Sequence, residues 1–425
     1  MKKVLATILA LVMALGLCSV SWAASADLPQ ADANGVITLT DDVVLTAGKV
    51  INKEGTPQVT KIDLGGHKLS RAGGFVLDIY GDVTITNGTI EMTGAESGSA
   101  IWINNGAKVT IDNSVKVSAT GSVNNNTSFA IAFDKSCNGA ALTFNGAIAG
   151  ENGVTINGII TENTNKISVN GTIDVTELAL YLAGNGTTDI NNGASLKGDV
   201  GVEIRAGVLN INGGTITSTG ANYNVTSNPG GPTTTGAALA VAEHTTNQGV
   251  TVNINGGTIT NVAGGKAISV ANPEGKEAAK GANVSVNGGT ISGDVKVGEN
   301  VKSTVEGKEP LTVSGDYNMT KDSEGNYTIA KKPTSYYYYS PSTTTPDTTT
   351  KAPDSTPTTT NAPTTTKAPD KANTPNDMSN IGNDGLPGWA IALIIVGAVV
   401  VVAVVVIIIV AKKKGGAKAD EAKGE

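Results

Sequence analysis

The sequence contains few of the residue types that usually carry chemistry. Aromatic residues make up 4% of its 425 residues, and it has only two histidines, two arginines and two cysteines. Cys18 lies in the N-terminal apolar segment, so a processed chain keeps only Cys137. This excludes an intrachain disulfide framework and a metal site built from several cysteines. A net charge of −7 with so few arginines argues against nucleic acid as a partner.

Glycine and strand-forming residues are abundant instead. The chain has 53 glycines, and threonine, asparagine and valine dominate its middle. Threonine and valine favour strands, whereas glycine and asparagine favour tight turns. The composition therefore predicts an all-β protein made of many short strands.

The N-terminus has the pattern of a secretory signal peptide. Lys2 and Lys3 precede an apolar run over residues 4–20, and small residues follow around Ala24 and Ala26. A short positive region, an apolar region and small residues at a cleavage site are the features of such a peptide. We therefore predict a signal peptide over residues 1–26.

The C-terminal region predicts one membrane-spanning helix. Residues 388–411 are uncharged and mostly apolar, and Trp389 stands near their start. About 22 such residues at ~1.5 Å each span the ~30 Å hydrocarbon layer of a bilayer. A buried core helix is the alternative, but so long an unbroken run is typical of a membrane span. The lysines at 412–414 predict a cytoplasmic tail over 412–425 and an extracellular body, anchored in the cell membrane by this single helix.

A segment rich in threonine and proline separates the body from this helix. Residues 331–387 include "STTTPDTTTKAPD" and contain few apolar residues that could form a core. Such a segment cannot offset the entropy cost of folding and stays extended. We therefore predict a disordered stalk over 331–387 that lifts the body away from the membrane.

The body, residues 27–330, repeats one short phrase. "NINGGTIT" occurs at residues 210–217 and again at 253–260, with looser copies such as "SVNGTI" from Ser168 and "SVNGGTI" from Ser285. Several intervals between copies are about 20–26 residues, and the interval from Asn212 to Asn255 is close to two of them. A second, apolar phrase recurs between the copies: "SAIWI" at 99, "FAIAF" at 129, "LALYL" at 178, "GVEIR" at 201, "AALAV" at 237 and "KAISV" at 266.

Two to three short strands per repeat, with no helix between them, predict the coils of a parallel β-helix solenoid. Alternation along "VTVNI" places Val252 and Ile254 inside the coil and Thr251 and Asn253 on its surface. One coil cannot bury its apolar side alone, whereas like coils stacked on one another can. A β-sandwich of hairpins is the competing fold, but it does not require a phrase that recurs at this interval.

In these phrases the chain resembles the right-handed parallel β-helix proteins of the pectin-lyase-like type, in their bacterial cell-surface form. The opening coil, "GVITLTDDVVL" followed by "KIDLGGHKLS", is similar to the first turn of such proteins, and "NINGGTIT" to their interior turns. The resemblance covers roughly residues 31–300. It implies an architecture but no single activity, because this fold is found in lyases, hydrolases and adhesins.

The resemblance implies two kinds of active site, and the residues fit neither. Lyases of this type have an acidic calcium cluster beside a basic residue; here Arg205 has Glu203 on its face and Asp189 and Asp199 in flanking segments, without an Asp-rich cluster. Hydrolases of this type have paired aspartates and a Gly-His-Gly turn, and His67 in "GGHK" lacks the second glycine. We therefore predict no enzyme, no catalytic residue, no metal and no cofactor.

Carbohydrate binding needs exposed aromatic rings, which cover the apolar face of a sugar. Trp102 is the only tryptophan between the two predicted targeting segments. Alternation places it opposite Ile101 and Ile103, hence on the surface, with core filling as the alternative. The segment 218–236, "STGANYNVTSNPGGPTTTG", interrupts the period and either forms a binding face or is solvated decoration; His244 is predicted to lie in a loop. The candidate binding residues are Trp102, Tyr181, Tyr223 and Arg205.

These observations predict a stalked, membrane-anchored cell-surface protein. We expect adhesion or ligand binding at the cell exterior, with a carbohydrate or matrix component as the partner. One alternative is a structural spacer in the envelope without a specific ligand. Another is a polysaccharide lyase or glycoside hydrolase of the pectin-lyase-like fold.

Overall fold

The computed structural model describes residues 27–121, 128–275 and 279–333, except for the side chains of residues 95–97. All of them belong to one compact unit, Met1–Tyr338. The predicted signal peptide, transmembrane helix and cytoplasmic tail, and the predicted stalk beyond residue 333, lie outside the described residues. Among the residues described, none forms a helix of the length and apolarity needed to cross a membrane.

The described part of the chain is all-β and contains no helix. Its strands, in chain order, are β1 (Val36–Thr38), β2 (Val43–Leu45), β3 (Lys49–Ile51), β4 (Lys61–Asp63), β5 (Lys68–Ile79), β6 (Val83–Thr86), β7 (Gly88–Ile103), β8 (Lys108–Ile111), β9 (Val115–Ala119), β10 (Phe129–Phe133), β11 (Ala141–Phe144), β12 (Ala147–Gly150), β13 (Asn152–Ile156), β14 (Lys166–Val169), β15 (Thr172–Val175), β16 (Leu178–Leu182), β17 (Thr187–Ile190), β18 (Ser195–Gly198), β19 (Val200–Ile204), β20 (Gly207–Ile211), β21 (Thr215–Ser218), β22 (Asn224–Val225), β23 (Thr234–Thr235), β24 (Ala237–Ala242), β25 (Val250–Ile254), β26 (Thr258–Asn261), β27 (Lys266–Ala271), β28 (Ala282–Val286), β29 (Thr290–Ser292), β30 (Val295–Val297), β31 (Leu311–Val313), β32 (Tyr317–Lys321) and β33 (Asn326–Lys331).

Most strands pair in parallel with a strand one repeat away. Through the middle of the body each strand pairs with the third strand after it, as in β11 with β14, β14 with β17 and β17 with β20. One such series forms a parallel sheet of eleven strands from β1 to β31. Three consecutive strands therefore make one coil, an arrangement compatible with the predicted β-helix solenoid.

Two further parallel series make up the larger sheet. One contains β12, β15, β18 and β21, and the other contains β10, β13, β16 and β19. The long strands β5 and β7 join the two series near the N-terminal end because each runs through both. At the other end, β33 pairs antiparallel with β30 and β32, so a hairpin closes the C-terminal edge.

The alternation predicted for "VTVNI" is confirmed in β25. Val252 and Ile254 are fully buried, whereas Thr251 and Asn253 are half-buried on the outer face. The same pattern recurs in the strands paired with β25, so their inward side chains form one continuous apolar core. Burying a valine or isoleucine of this kind contributes about 1.5–3 kcal/mol, which explains why each coil needs its neighbours.

The "NGG" bends stack on one another and form a ladder of amides. Gly257 has a φ of 80°, and a Cβ at this position would come within 2.6 Å of the Gly213 carbonyl, so the bend requires glycine. Each ladder asparagine donates its Nδ2 hydrogen to the Oδ1 of the preceding member, at N–O distances of 2.8–3.4 Å. The members are Asn145, Asn170, Asn191, Asn212, Asn255 and Asn287.

The interval between Asn212 and Asn255 spans one coil and not two. The Asn255 amide bonds directly to Asn212, 43 residues earlier. The coil is enlarged by the segment 219–236, which leaves the sheet after β21, forms the antiparallel pair β22–β23 and returns at β24. We call this segment the excursion. Sequence spacing alone could not distinguish two regular coils from one coil with an insertion.

Candidate functional site

One column of outward-facing residues crosses the middle of the larger sheet. Trp102 pairs with Asp78 on one side and with Ala132 on the other. The column continues through Thr155, Tyr181, Glu203, Ala240 and Ser269. Ile101 and Ile103, on either side of Trp102, are fully buried, so the tryptophan lies on the outer face as the alternation predicted. Four neighbouring members of this column form the floor of a cleft.

The cleft has a volume of about 370 Å³. Its floor is formed by the column, one wall by the turns that follow the column strands, and one end by the glycine-rich part of the excursion. Its lining residues are Trp102, Phe129, Ala132, Phe133, Asp134, Thr155, Ile156, Asn157, Gly158, Tyr181, Ala183, Gly230, Gly231, Pro232 and His244.

Aromatic rings are concentrated at this cleft. The rings of Phe129 and Tyr181 are stacked with centroids 6.1 Å apart and an interplanar angle of 15°. Trp102 packs against Phe75 at the same centroid distance, tilted by 35°. The Trp102 side chain is only half-buried, yet its Nε1 is buried without a hydrogen-bond partner among the described residues. This N–H is shielded from solvent, so Trp102 presents its ring at the cleft and not its N–H.

The turn side of the cleft is polar. The Asp134 Oδ1 accepts hydrogen bonds from the backbone N–H of Ser136 at 2.9 Å and from its hydroxyl at 2.7 Å. The His244 Nδ1 accepts one from the backbone N–H of Thr246 at 3.2 Å. In the neutral imidazole this leaves the proton on Nε2, which lies against Gly158 at the cleft. The wall is thus lined by an imidazole and a carboxylate.

The excursion is fastened to the sheet by a buried carboxylate. Glu203 is fully buried beneath it and accepts hydrogen bonds from the backbone N–H and hydroxyl of Thr233, both at 2.8 Å, and from the Thr234 N–H at 3.3 Å. Burial raises the pKa of Glu203, while the bonds from Thr233 and the charge of Arg205 act in the opposite direction. These three bonds hold the strand that follows the glycine-rich end of the cleft.

Arg205, two residues after Glu203, also holds the excursion against the sheet. Its guanidinium is fully buried and donates to the carbonyls of Asn228 at 2.9 Å and Gly231 at 2.7 Å. It also forms an ion pair with Glu274 at 3.0 Å and reaches the Tyr181 hydroxyl at 3.4 Å. Burial raises the pKa of Tyr181 to about 12, so this hydroxyl stays protonated at neutral pH. These contacts fix the end wall of the cleft and the aromatic ring beside it.

A small apolar cluster lies outside the main core at this place. It is separate from the continuous apolar core inside the coils and includes two of the aromatic residues that line the cleft. Its members come from neighbouring coils, so outward-facing apolar side chains of successive coils pack on one another here. The members are Phe129, Leu178, Tyr181, Ala183, Val200, Ala237 and Ala240.

A second carboxyl lies next to Trp102 but does not line the cleft. Asp78 is 8% exposed and accepts a hydrogen bond from the Asn104 amide at 2.5 Å. Burial raises its pKa, the bonds from Asn104 and Tyr80 oppose the shift, and the nearby charge of Asp134 adds to it. Asp78 therefore holds its proton to higher pH than an ordinary aspartate.

The structure brings together some of the residues predicted from the sequence. Trp102 and Tyr181 line one cleft, and Arg205 lies at its end beneath the excursion. Tyr223, also on the excursion, is not part of the lining; its hydroxyl bonds to the Ser269 Oγ at 2.9 Å, and the Lys266 Nζ lies 5.8 Å from its ring centre.

Sequence reasoning missed most of the lining residues, among them Phe129, Asp134, Asn157 and His244. Phe129 begins the repeated phrase "FAIAF" and Asp134 follows it, and the register of this phrase with "SAIWI" was the signal that could have placed them near Trp102. Asn157 follows β13, whose phrase "NGVTI" was not recognised as a copy. His244 was predicted to lie in a loop, and only the fold shows that this loop borders the cleft.

The other residues considered for catalysis or metal binding do not lie at the cleft. The His67 Nδ1 lies 3.6 Å from the Asp42 Oδ1 in the first coils, away from the cleft lining. Among the described residues no group of three or more histidine, cysteine, aspartate or glutamate side chains is placed to hold a metal ion. In comparisons with known proteins, no family model, curated protein or solved structure matches this chain.

Proposed function

We propose that this protein binds a carbohydrate at the cell exterior, and that the cleft beside Trp102 is the binding site. The observation that supports this most strongly is the grouping of aromatic rings, one of them half-exposed, with polar groups in one concave site. A sugar presents an apolar face to an aromatic ring and hydroxyls around its edge, so it needs both kinds of contact.

The cleft supplies both kinds of contact. Trp102 offers a half-exposed ring, and the stacked rings of Phe129 and Tyr181 belong to the same lining. Asp134 offers an acceptor at the wall, which His244 also lines. A volume of about 370 Å³ lies within the range of small-molecule sites and suits one or two sugar units.

We also propose how the protein holds the binding site at the cell surface. We infer that the parallel coils form a right-handed, pectin-lyase-like β-helix in an adhesin-like protein. The predicted signal peptide, stalk and C-terminal membrane helix would hold this body outside the cell. The long parallel sheets support the β-helix, and the two targeting patterns in the sequence support the location.

Binding of the purified protein to a glycan array, followed by titration calorimetry, tests the site. Trp102→Ala should weaken binding about tenfold or more, since it removes the main stacking surface. Ala132→Phe should abolish binding, because Ala132 lies on the floor between Trp102 and Thr155. Ala149→Phe is the matched control, an equal enlargement at an exposed alanine that does not line the cleft.

The same experiment distinguishes carbohydrate binding from the alternative function as a structural spacer. Binding that survives both Trp102→Ala and Ala132→Phe would show that the cleft is not the site. Failure to bind across a broad array of glycans and matrix proteins would favour a structural spacer instead.

Polysaccharide hydrolysis is a second candidate, favoured by the raised pKa of Asp78 beside the charge of Asp134. One protonated and one ionised carboxyl are what general acid–base cleavage of a glycosidic bond needs. Against it, Asp78 does not line the cleft. Release of reducing ends from a bound glycan, lost in both Asp78→Asn and Asp134→Asn, would support hydrolysis; a glycan recovered intact would exclude it for that ligand.

A further inference from the structure

We propose that the cleft selects glycans carrying a free ammonium group, such as a glucosamine polymer, over neutral and acidic glycans. This inference rests on the proposed carbohydrate-binding function and narrows its ligand. It departs from the acidic uronate polymers that the pectin-lyase-like resemblance would suggest.

The charge of the residues that line the cleft favours a cationic ligand. Among the described residues that line the cleft, Asp134 is the only carboxylate, and there is neither a lysine nor an arginine. Lys135 follows Asp134 in an exposed position but is not part of the lining. The site therefore carries negative charge without a cation to balance a ligand carboxylate.

The hydrogen bonds of Asp134 involve only one of its two carboxylate oxygens. Both bonds from Ser136 go to Oδ1, and the described residues give Oδ2 no hydrogen bond. A carboxylate oxygen at a cleft can accept a charge-assisted bond from an ammonium, which is stronger than a bond from a neutral hydroxyl. The bonds from Ser136 fix the carboxylate in place, so the ligand does not have to order it.

The aromatic rings favour the same charge. The face of an aromatic ring is electron-rich and attracts a cation, tryptophan most strongly, and Trp102 presents a half-exposed ring at the cleft. A uronate carboxylate would face this ring and the Asp134 carboxylate without a lysine or arginine in the lining to pair with it. Arg205, at the end of the cleft, is fully buried and already paired with Glu274.

The charge of the whole chain acts in the same direction at longer range. A net charge of −7 attracts a cationic polymer and repels an anionic one before contact. This attraction is screened by salt, whereas the contact with Asp134 is screened less.

Titration calorimetry of the full-length protein with three oligosaccharides of equal length tests the inference. The ligands are a glucosamine oligomer, the same oligomer fully N-acetylated, and a galacturonate oligomer. We expect the glucosamine oligomer to bind about tenfold more tightly than its acetylated form, and the galacturonate oligomer not to bind.

Asp134→Asn tests the residue, because asparagine keeps the Oδ1 acceptor for Ser136 while an NH₂ group replaces Oδ2 and the charge is lost. It should reduce the glucosamine affinity to that of the acetylated form and leave the acetylated form unchanged. Asp112→Asn is the matched control: Asp112 accepts the same two bonds from Ser114, at 3.0 and 2.6 Å, and does not line the cleft.

The possible outcomes distinguish the inference from the proposed function. Equal binding of the two glucosamine forms, or binding of galacturonate, would overturn the inference. If that binding were still abolished by Ala132→Phe, carbohydrate binding at the cleft would stand. If none of the three ligands bound and no glycan on the array did, both would fail. A preference for glucosamine that Asp134→Asn does not change would overturn the role of Asp134.

Discussion

The Glu203 carboxylate accepts hydrogen bonds from both the backbone N–H and the hydroxyl of Thr233, each at 2.8 Å. These two residues are 30 positions apart and both are buried, so the contact joins the excursion to the sheet without water between them. Since the excursion also supplies the end wall of the cleft, this contact connects the stability of one segment to the shape of the candidate site.

Loosening this contact should expose the excursion locally. Glu203→Gln replaces one carboxylate oxygen by an NH₂ group, so either Thr233 or Thr234 loses its acceptor, at a cost of about 1–3 kcal/mol. We expect faster hydrogen exchange of the amides at 224–236, measured by mass spectrometry, with exchange in β11 and β14 unchanged. Uniform acceleration in all strands would show that Glu203 stabilises the whole body, and unchanged exchange would show that the contact has no such role.

The inward and outward positions of one strand should differ strongly in their effect on stability. Ile254→Ala removes a fully buried side chain from the continuous apolar core and should lower the free energy of unfolding by about 2–5 kcal/mol. Thr251→Ala, on the outer face of the same strand, should cost under about 1 kcal/mol. Denaturant unfolding of both variants measures this, and similar losses would contradict the assigned faces of β25.

Asp78 should make stability decrease as pH rises. Its pKa is raised above the ordinary value of 3.8, chiefly by burial. A carboxyl with a raised pKa in the folded protein stabilises it fully below the unfolded pKa, and this contribution is lost as pH rises through the folded pKa. Asp78→Asn should therefore gain in Tm relative to the natural protein as pH rises from below 3.8 to neutral.

Asp112→Asn provides a control of opposite sign for that experiment. Hydrogen bonds from Ser114 lower the pKa of Asp112, so its contribution is present above the unfolded pKa and lost as pH falls through the folded pKa. This variant should lose Tm relative to the natural protein as pH rises. The same trend in both variants would contradict the assigned environment of Asp78.

Cys137 should be unreactive in the folded protein. It is 3% exposed, and burial raises the pKa of its thiol to about 12, so almost no thiolate forms at neutral pH. Labelling with a thiol reagent, read out on the Cys137 peptide, should occur only after denaturant is added. Rapid labelling under native conditions would show that the turn after β10 opens far more readily than the structure indicates.

The repeat made much of the fold predictable from the sequence. In "VTVNI" every second residue is apolar, and only stacking of like coils buries all those residues, so the parallel sheets followed from pattern and packing. The same reasoning failed between Asn212 and Asn255, where the excursion mimics a missing coil. Its residues are polar and aperiodic, so no local rule shows that it folds back onto the sheet.

The site was less predictable because it is assembled across coils. Trp102 and Tyr181 were predicted from residue type and alternation. Phe129 and Asp134 come beside them only through the register of β10 with β7, where the chain between the two strands lengthens the repeat. Arg205 was predicted from its rarity, but a buried guanidinium bonded to backbone carbonyls cannot be told from an exposed one by its sequence context.

A crystal structure of the protein with a glucosamine oligomer would show directly whether the cleft holds the sugar. We expect a sugar ring within ~4 Å of the Trp102 indole and an amine beside the Asp134 carboxylate. A sugar bound elsewhere on the coils, with the cleft empty at saturating ligand, would contradict this expectation.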